Sequence, residues 1–468
     1  MMSGVAAAFL LAAAALPTAA RASVALGAGN NRQRVVLHVD PCKDGLSDAL
    51  STAVEAFGAS VVPIWSEAMA AQVAAPYGAH KAPAVGEETQ WAAVHLRDAD
   101  IEGVVCGSDH GLACAERLQH ALMPARSNAI DAARRDKYLA NEALCAAGLE
   151  IAAQCAPSTW EEAKAFLTRL ERSSDGAFRA VLKPRRGTAS VGVFVAESVE
   201  EAEEIFRVLS RSTVSVDTSE LVESSRVVVQ EYLEGDEWIV DTVSIDGEHR
   251  VVAVWRYDKG MANGAPFVYN SAELMSSGTD VADAIMDYAC AALDALSWRW
   301  GPCHIEVKAT RRGPRLVEVN AGRCNGLDFK LLADVCYGYN QFDATVAAWL
   351  SADEAAVELP VRPPAQLACH ARLVTLVSHV RGTLTRVQHT EEVCEMASML
   401  SFEPEPSEAG EPIVHTTDLN SAAGHALMAH QDRAVLEADY ARLRELQSTM
   451  FEVAAAPEDE EADAEARV

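Results

Sequence analysis

GPCHIEVKATRRGPRLVEVNAGR, residues 301–323, consists of two runs that alternate apolar and polar side chains around a short turn containing Arg312 and Gly313. In a strand, every second side chain lies on the same face. A hairpin with a three-residue loop over 311–313, Gly313 taking the left-handed position, sets Glu306 opposite Glu318 and His304 opposite Asn320. In that register His304, Glu306, Lys308, Glu318 and Asn320 share one face, while Ile305, Val307, Val317 and Val319 enter the core. Directly opposed carboxylates cost a sheet about 0.2–1 kcal/mol, so something should offset them. A hard divalent cation suits the donors, because Mg²⁺ takes a few carboxylate or amide oxygens and fills its remaining positions with water and substrate phosphate. The competing reading is a solvated sheet face beside Lys308.

Two stretches upstream bear on that choice. AVLKP (180–184) ends an apolar strand on Lys183 and leads into RRGTASVGV (185–193), small and flexible enough to bring backbone N–H groups to a polyphosphate beside the lysine. The spacing matches no Walker-A loop, and a plain strand–turn–strand is the alternative. VVVQEYLEGDEWIVD (227–241) passes from an apolar strand through a polar linker to an acidic turn, where backbone groups can pair with an adenine edge and Glu237 can accept from ribose hydroxyls.

Around these stretches the chain changes character. RVVLHVD (34–40), SVVPIW (60–65) and IEGVVCGSD (101–109) read as strands separated by helices, SDALSTAVEAFGA (47–59) among them, which implies a parallel α/β unit with ligand-accessible loops at the strand ends. Asp109 reads as the N-cap of the helix LACAERLQHAL (112–122). IDAARRDKYLANEALCAAG (130–148) reads as one helix closed by Gly148, and the region beyond it as α+β with an antiparallel sheet. A Pro-rich stretch at 360–364 marks a boundary, beyond which come strands and a helix, RAVLEADYARLRELQSTMFEV (433–453). The expected organisation is a leader (1–30), an N-terminal α/β domain (31–125), a central domain (126–355), a C-terminal α+β domain (365–455) and a solvated acidic tail (456–468).

Composition narrows the function classes. A formal charge of −29, from 39 basic against 68 acidic residues, argues against a nucleic-acid partner, since such affinity rests on lysine and arginine. The 11 cysteines are scattered with no C-x-x-C pair, which indicates neither a disulfide framework nor a zinc site. VAAAFLLAAAAL (5–16) resembles a targeting segment with a small-residue cleavage site around Arg21, lacks a preceding Lys or Arg, and is too short to span a bilayer comfortably.

Taken in order, RRDKYLANEALCAAG, VLKPRRGTASVGV, VVVQEYLEGDEWIVDTVSIDG and GPCHIEVKATRRGPRLVEVN resemble the ATP-grasp superfamily of carboxylate–amine ligases, in the branch of amino-acid ligases and carnosine-synthase-like enzymes. The likeness covers about residues 130–325 and implies an ATP-grasp fold, α/β and α+β, with an N-terminal parallel α/β domain and a small β-rich C-terminal domain. It implies Lys137, Lys183 and Ser190 at the phosphates, Gln230, Glu231, Tyr232 and Leu233 at adenine, and Glu237 at the ribose. Glu306, Glu318 and Asn320 match the metal ligands, with Mg²⁺ expected and Mn²⁺ as an alternative. Many members carry Glu-x-Asn-x-Arg, the arginine meeting the oxyanion that forms as the nucleophile adds; here Gly322 lengthens the spacing by one residue, and Arg323 is expected to reach the site through a loop opened by that glycine.

His304 is expected at phosphate or substrate, Arg256 and Lys259 at a substrate carboxylate, and Asp109 at substrate. The implied activity is ATP-dependent joining of a small carboxylate, such as an amino acid, to an amine. Two alternatives are a silent nucleotide-binding protein, suggested by the altered arginine spacing, and a carboxylase-type relative, against which stands the lack of a Met-Lys-Met biotin site. Partners are then small molecules, with a homodimer left open, in the cytosol or an ATP-containing organelle.

Overall fold

Strand β1 (Gln33–Val39) is buried along most of its length and pairs in parallel with both β2 (Ser60–Trp65) and β4 (Ala99–Cys106). The computed structural model describes residues 32–41, 45–70, 78–173, 177–187, 190–211 and 227–454; the expected leader and acidic tail lie outside them. With β3 (His80–Lys81) the N-terminal sheet has the order β3-β2-β1-β4. Its β1–β2 crossover helix, Leu46–Ala56, buries Leu46, Leu50 and Val54, the four-residue spacing of one helical face.

Two antiparallel sheets follow. The smaller is β5 (Gln154–Cys155), β6 (Ala180–Pro184), β7 (Phe194–Ala196) and β8 (Val227–Glu231), in the order β5-β8-β6-β7. The larger begins with β9 (Asp236–Ile245), β10 (Glu248–Ala262), β11 (Ala265–Leu274), β12 (Gly301–Thr310) and β13 (Gly313–Ala321). It continues past the Pro-rich stretch: β14 (His370–Thr375) pairs with β11 at Ala272↔Leu373 and Glu273↔Arg372. The C-terminal region then supplies β15 (Gly382–Val387), β16 (Met399–Pro404), β17 (Pro412–Ile413), β18 (Gly424–His430) and β19 (Phe451–Ala454). β16 and β18 complete an eight-stranded sheet, while β17-β15-β19 forms a sheet of its own. Hydrogen bonding thus crosses the boundary expected at 355–365. The helix Gln341–Leu350, expected within the central domain, sends Phe342, Val346 and Trp349 into the core beneath β1 and β4. That packing is close: a Cβ at Gly103 would lie 2.8 Å from the Trp349 ring.

Three local expectations give way. The helix expected over 130–148 is split at Asp136, whose carboxylate caps the helix Lys137–Ala146 by accepting from the N–H groups of Tyr138 and Leu139 at 3.0 Å each. Lys137 therefore stands at a helix start rather than mid-helix. Asp109 caps nothing; Ser108 Oγ accepts from Gly111 N ahead of the helix Leu112–Leu122. The C-terminal helix stops at Gln447, because Phe451 and Val453 pair with β15 instead. The described cysteines are free thiols, with those of Cys336 and Cys369 3.0 Å apart in the core.

The N-terminal and central parts are joined by a buried charge cluster. Glu116, on the helix Leu112–Leu122, accepts from Arg134 at 2.8 Å and Arg135 at 2.5 Å, and Arg134 also donates to the Leu296 and Ser297 carbonyls at a helix end. Removing one member of a fully buried ion pair leaves a charge without compensation. Glu116→Ala is therefore expected to lower folding stability by about 3–5 kcal/mol, read from the urea midpoint.

Candidate active site

The facing carboxylates of the hairpin form as the alternation predicts, with Glu306↔Glu318 and His304↔Asn320 paired across β12 and β13. Nearer the turn the register differs. Thr310 pairs with Gly313, so the loop has two residues rather than three, and a β-bulge between Glu306 and Val307 absorbs the difference. Val317 is the extra residue: Leu316 takes the core position opposite Val307, while Val317 lines a cavity of about 600 Å³ between the two antiparallel sheets and the N-terminal unit. The bulge carbonyl faces Lys183 Nζ at 3.5 Å.

The opposed carboxylates are each met by a cation. Lys137 Nζ lies 2.8 Å from Glu318 Oε1 and donates to the Gly187 carbonyl at 2.6 Å. His304 Nε2 lies 3.5 Å from Glu306 Oε1, and its Nδ1 lies 2.9 Å from Asp241 Oδ1. Burial opposes charge on this ring, but the hydrogen bonds to Asp241 and Glu306 outweigh it and raise its pKa to about 9. Burial likewise pushes the Glu306 carboxyl up, and Lys259, His304 and Lys137 together hold it below its ordinary range. Lys183, buried and beside Lys137, is pulled down to about 8.

Where β8 gives way to β9, residues Gln230 to Leu233 form one wall of the cavity. The Gln230 amide donates to Gln154 at 2.9 Å, the Glu231 carboxylate accepts from Arg312 at 2.7 Å, and the Glu231 N–H donates to the Ala153 carbonyl at 2.9 Å. Tyr232 stacks on Phe267 with ring centroids 6.5 Å apart. Glu237 lies 2.5 Å from Lys259 Nζ and 3.2 Å from Lys308 Nζ, and Lys259 sits over the Tyr269 ring at 4.0 Å. Ser190, in the left-handed region at φ 63°, is 3.3 Å from the Tyr269 hydroxyl.

Arg323 does reach the cavity. Gly322 adopts φ 91°, a conformation that a side chain would strain, and the turn it makes lets Arg323 form a parallel bridge with Cys106 at the end of β4. Its guanidinium pairs with Asp109 at the cavity wall.

Residues 177–329 match the ATP-grasp domain family model. The chain is 25% identical over 358 residues to dapdiamide A synthase of Enterobacter agglomerans, spanning 76% of this chain and 81% of that one. Its fold matches the L-amino acid ligase of Bacillus licheniformis with a TM-score of 0.66 at 18% identity, over 91% of this chain and all of that one. It also matches a carboxyaminoimidazole ribonucleotide synthase of Aspergillus clavatus, with a TM-score of 0.59 at 15% identity over 90% and 99% of the two chains. This chain carries an ATP-grasp domain, and its likenesses support an ATP-grasp carboxylate–amine ligase.

In ATP-grasp terms, the cavity gathers all but one of the expected site residues. Lys137, Lys183, Ser190, Gln230, Glu231, Tyr232, Leu233, Glu237, Lys259, His304, Glu306, Glu318, Asn320, Arg323 and Asp109 all line it. Arg256 is the exception: an odd number of residues from Lys259, it takes the opposite face of β10 and pairs with buried Glu273 at 2.6 Å, alongside Arg372 and Arg433 from the C-terminal region. Lys259 is engaged by Glu237 and by the rings of Tyr257 and Tyr269. Among the described residues no group of three or more His, Cys, Asp or Glu side chains is arranged to hold a metal. The ATP-grasp set of two carboxylates and an amide is an all-oxygen donor set that leaves positions for water and phosphate, and so fits Mg²⁺.

Residues missed in the sequence include Asp241, whose signal was an acid inside the apolar run EWIVDTVSI, and Lys308 as a second partner of Glu237. Glu237→Gln leaves both lysines without their counter-charge. The nucleotide-free protein is expected to lose about 3–5 kcal/mol of stability, read by urea unfolding, with Lys308→Met, Glu237→Gln recovering part of it.

Proposed function

We propose that this protein is an ATP- and Mg²⁺-dependent, ADP-forming ligase that activates a small carboxylate, an amino acid in the simplest case, as an acyl phosphate for attack by an amine. The observation that carries this reading is the convergence, in one cavity, of two lysines, an all-oxygen metal set and an arginine from three different parts of the chain. A nucleotide-binding wall alone would need neither opposed carboxylates nor Arg323.

In this reading, Lys137 and Lys183 meet the phosphates, the hinge backbone at 230–233 meets adenine and Glu237 meets the ribose, releasing part of its hold on Lys259 and Lys308. Glu306, Glu318 and Asn320 would hold Mg²⁺, which when bound supplies positive charge at the transferring phosphoryl group. A substrate carboxylate oxygen attacks the γ-phosphorus as the bond to ADP breaks. The amine nitrogen then adds to the acyl carbon, the C–O bond to phosphate breaks, and the nitrogen loses a proton. Arg323 offsets the charge that develops on the acyl oxygen, and the walls position the reactants and exclude water. The match to dapdiamide A synthase and the fold of an L-amino acid ligase support an amide product. Among the described residues no helix is long and apolar enough to cross a membrane, which accords with small substrates met in solution.

ADP release, assayed across a panel of amino acids, is expected only when a carboxylate and an amine are both present. Arg323→Ala should lower kcat by about 10²–10³-fold, and Glu318→Ala should abolish turnover. Tight ATP binding with no turnover across a broad panel would instead identify a silent nucleotide-binding protein.

The low pKa of Lys183, about 8 in the free protein, carries a second prediction. Its ammonium loses its proton as pH rises through that value, and a phosphate ligand favours the charged form. ATP affinity should therefore weaken above about pH 8, with proton uptake on binding, while Lys183→Arg keeps it level to higher pH. Calorimetry in buffers of different ionisation enthalpy reads both, and an affinity flat across this range in the native chain counts against Lys183 at the phosphates.

A further inference from the structure

Asp241 is 1% exposed in the middle of β9 and does not line the cavity, yet its two oxygens serve three donors from separate elements. Oδ1 lies 2.9 Å from His304 Nδ1, and Oδ2 accepts from the Trp255 indole at 3.0 Å and from the Asn325 side-chain amide at 2.8 Å. Beyond His304 stands Glu306, 3.5 Å from the other ring nitrogen. Beyond Asn325, two residues back along the chain, stands Arg323; the loop between them is tied down again where Asn325 N donates to Gln341 Oε1 at 2.9 Å.

A buried carboxylate is a costly way to join strands that already pair through their backbones, and well-packed apolar side chains would hold the sheet as well. What an apolar residue cannot do is accept at two places. The indole and the Asn325 amide are donors only at those atoms, so Oδ2 must be an acceptor, while Oδ1 orients the imidazole. The two oxygens thereby fix two parts of the site, Glu306 by way of His304 and Arg323 by way of Asn325.

We propose that Asp241 is a positioning residue that sets the metal-ligand carboxylate Glu306 and the loop bearing Arg323 in one common frame. The inference rests on the ligase reading above and adds to it a residue outside the cavity. The partners of a metal's ligands commonly change its affinity by about 10–100-fold when removed.

The test uses the full chain and reads Mn²⁺ affinity in the presence of ADP by electron paramagnetic resonance, beside kcat and the KM for ATP. Asp241→Asn keeps the shape but places an amide where the carboxylate held His304; it is expected to weaken Mn²⁺ binding about 10-fold or more and to lower kcat, with the ATP KM within about twofold because the hinge wall is untouched. Asn325→Ala cuts only the loop arm, and should lower kcat with Mn²⁺ affinity unchanged. His304→Gln cuts only the other arm, and should weaken Mn²⁺ binding even if Asp241→Asn does not fold. Folded Asp241→Asn, or folded His304→Gln, with native Mn²⁺ affinity overturns the proposal, as does Asn325→Ala with native kcat. Glu318→Ala separates this from failure of the ligase reading. If it abolishes the ADP-dependent Mn²⁺ site while the Asp241 variant keeps it, only the positioning role falls; if Glu318→Ala keeps the site, the metal assignment beneath both falls.

Discussion

Two carboxylates facing each other across a buried hairpin must be neutralised, and much of the cavity is arranged to do so. Glu318 meets Lys137 from the start of a helix, and Glu306 meets His304 from its own strand. His304 sits in regular strand, whereas Lys137 is placed by a break in regular structure. Lys137 faces the hairpin because Asp136 interrupts the preceding turn and caps a new helix there, and Asp136 is itself held at 2.7 Å by Arg185 from the loop after β6. Charge compensation thus links the facing hairpin carboxylates to the loop that follows Lys183.

The same constraint draws on distant parts of the chain. The N-terminal part sends Asp109 to Arg323 and bridges its backbone at Cys106, so the loop after β13 is completed by the N-terminal sheet. Arg134 closes the junction on the other side by uniting Glu116 with a helix end of the central part. Next to β11, β14 extends the large sheet and brings Leu373 and Thr375 to the cavity wall. A ligand there contacts parts of the chain that lie hundreds of residues apart.

The site was legible wherever a strand's alternation is strict. His304, Glu306, Glu318 and Asn320 fall on one face because period two leaves no other choice in paired strands. Alternation failed at Leu316-Val317, two adjacent apolar residues whose succession was itself the mark of a bulge. It also bore on Arg256 and Lys259, which an odd spacing places on opposite faces. Asp136 and Asp109 show the limit for caps: both are acids ahead of apolar helical runs, and only the backbone path decides which one accepts the helix N–H groups.

By itself the sequence determined the residue types at the site and the pairing of Glu306 with Glu318 and of His304 with Asn320, because these follow from local periodicity and from which side chains can bind phosphate or a hard cation. Only the tertiary structure decided which charges meet. Lys259 is committed to Glu237, Arg256 to Glu273 and Arg323 to Asp109. Pairing of buried charges depends on distance and desolvation in three dimensions, and these partners lie from 17 to 214 residues along the chain from the groups they compensate.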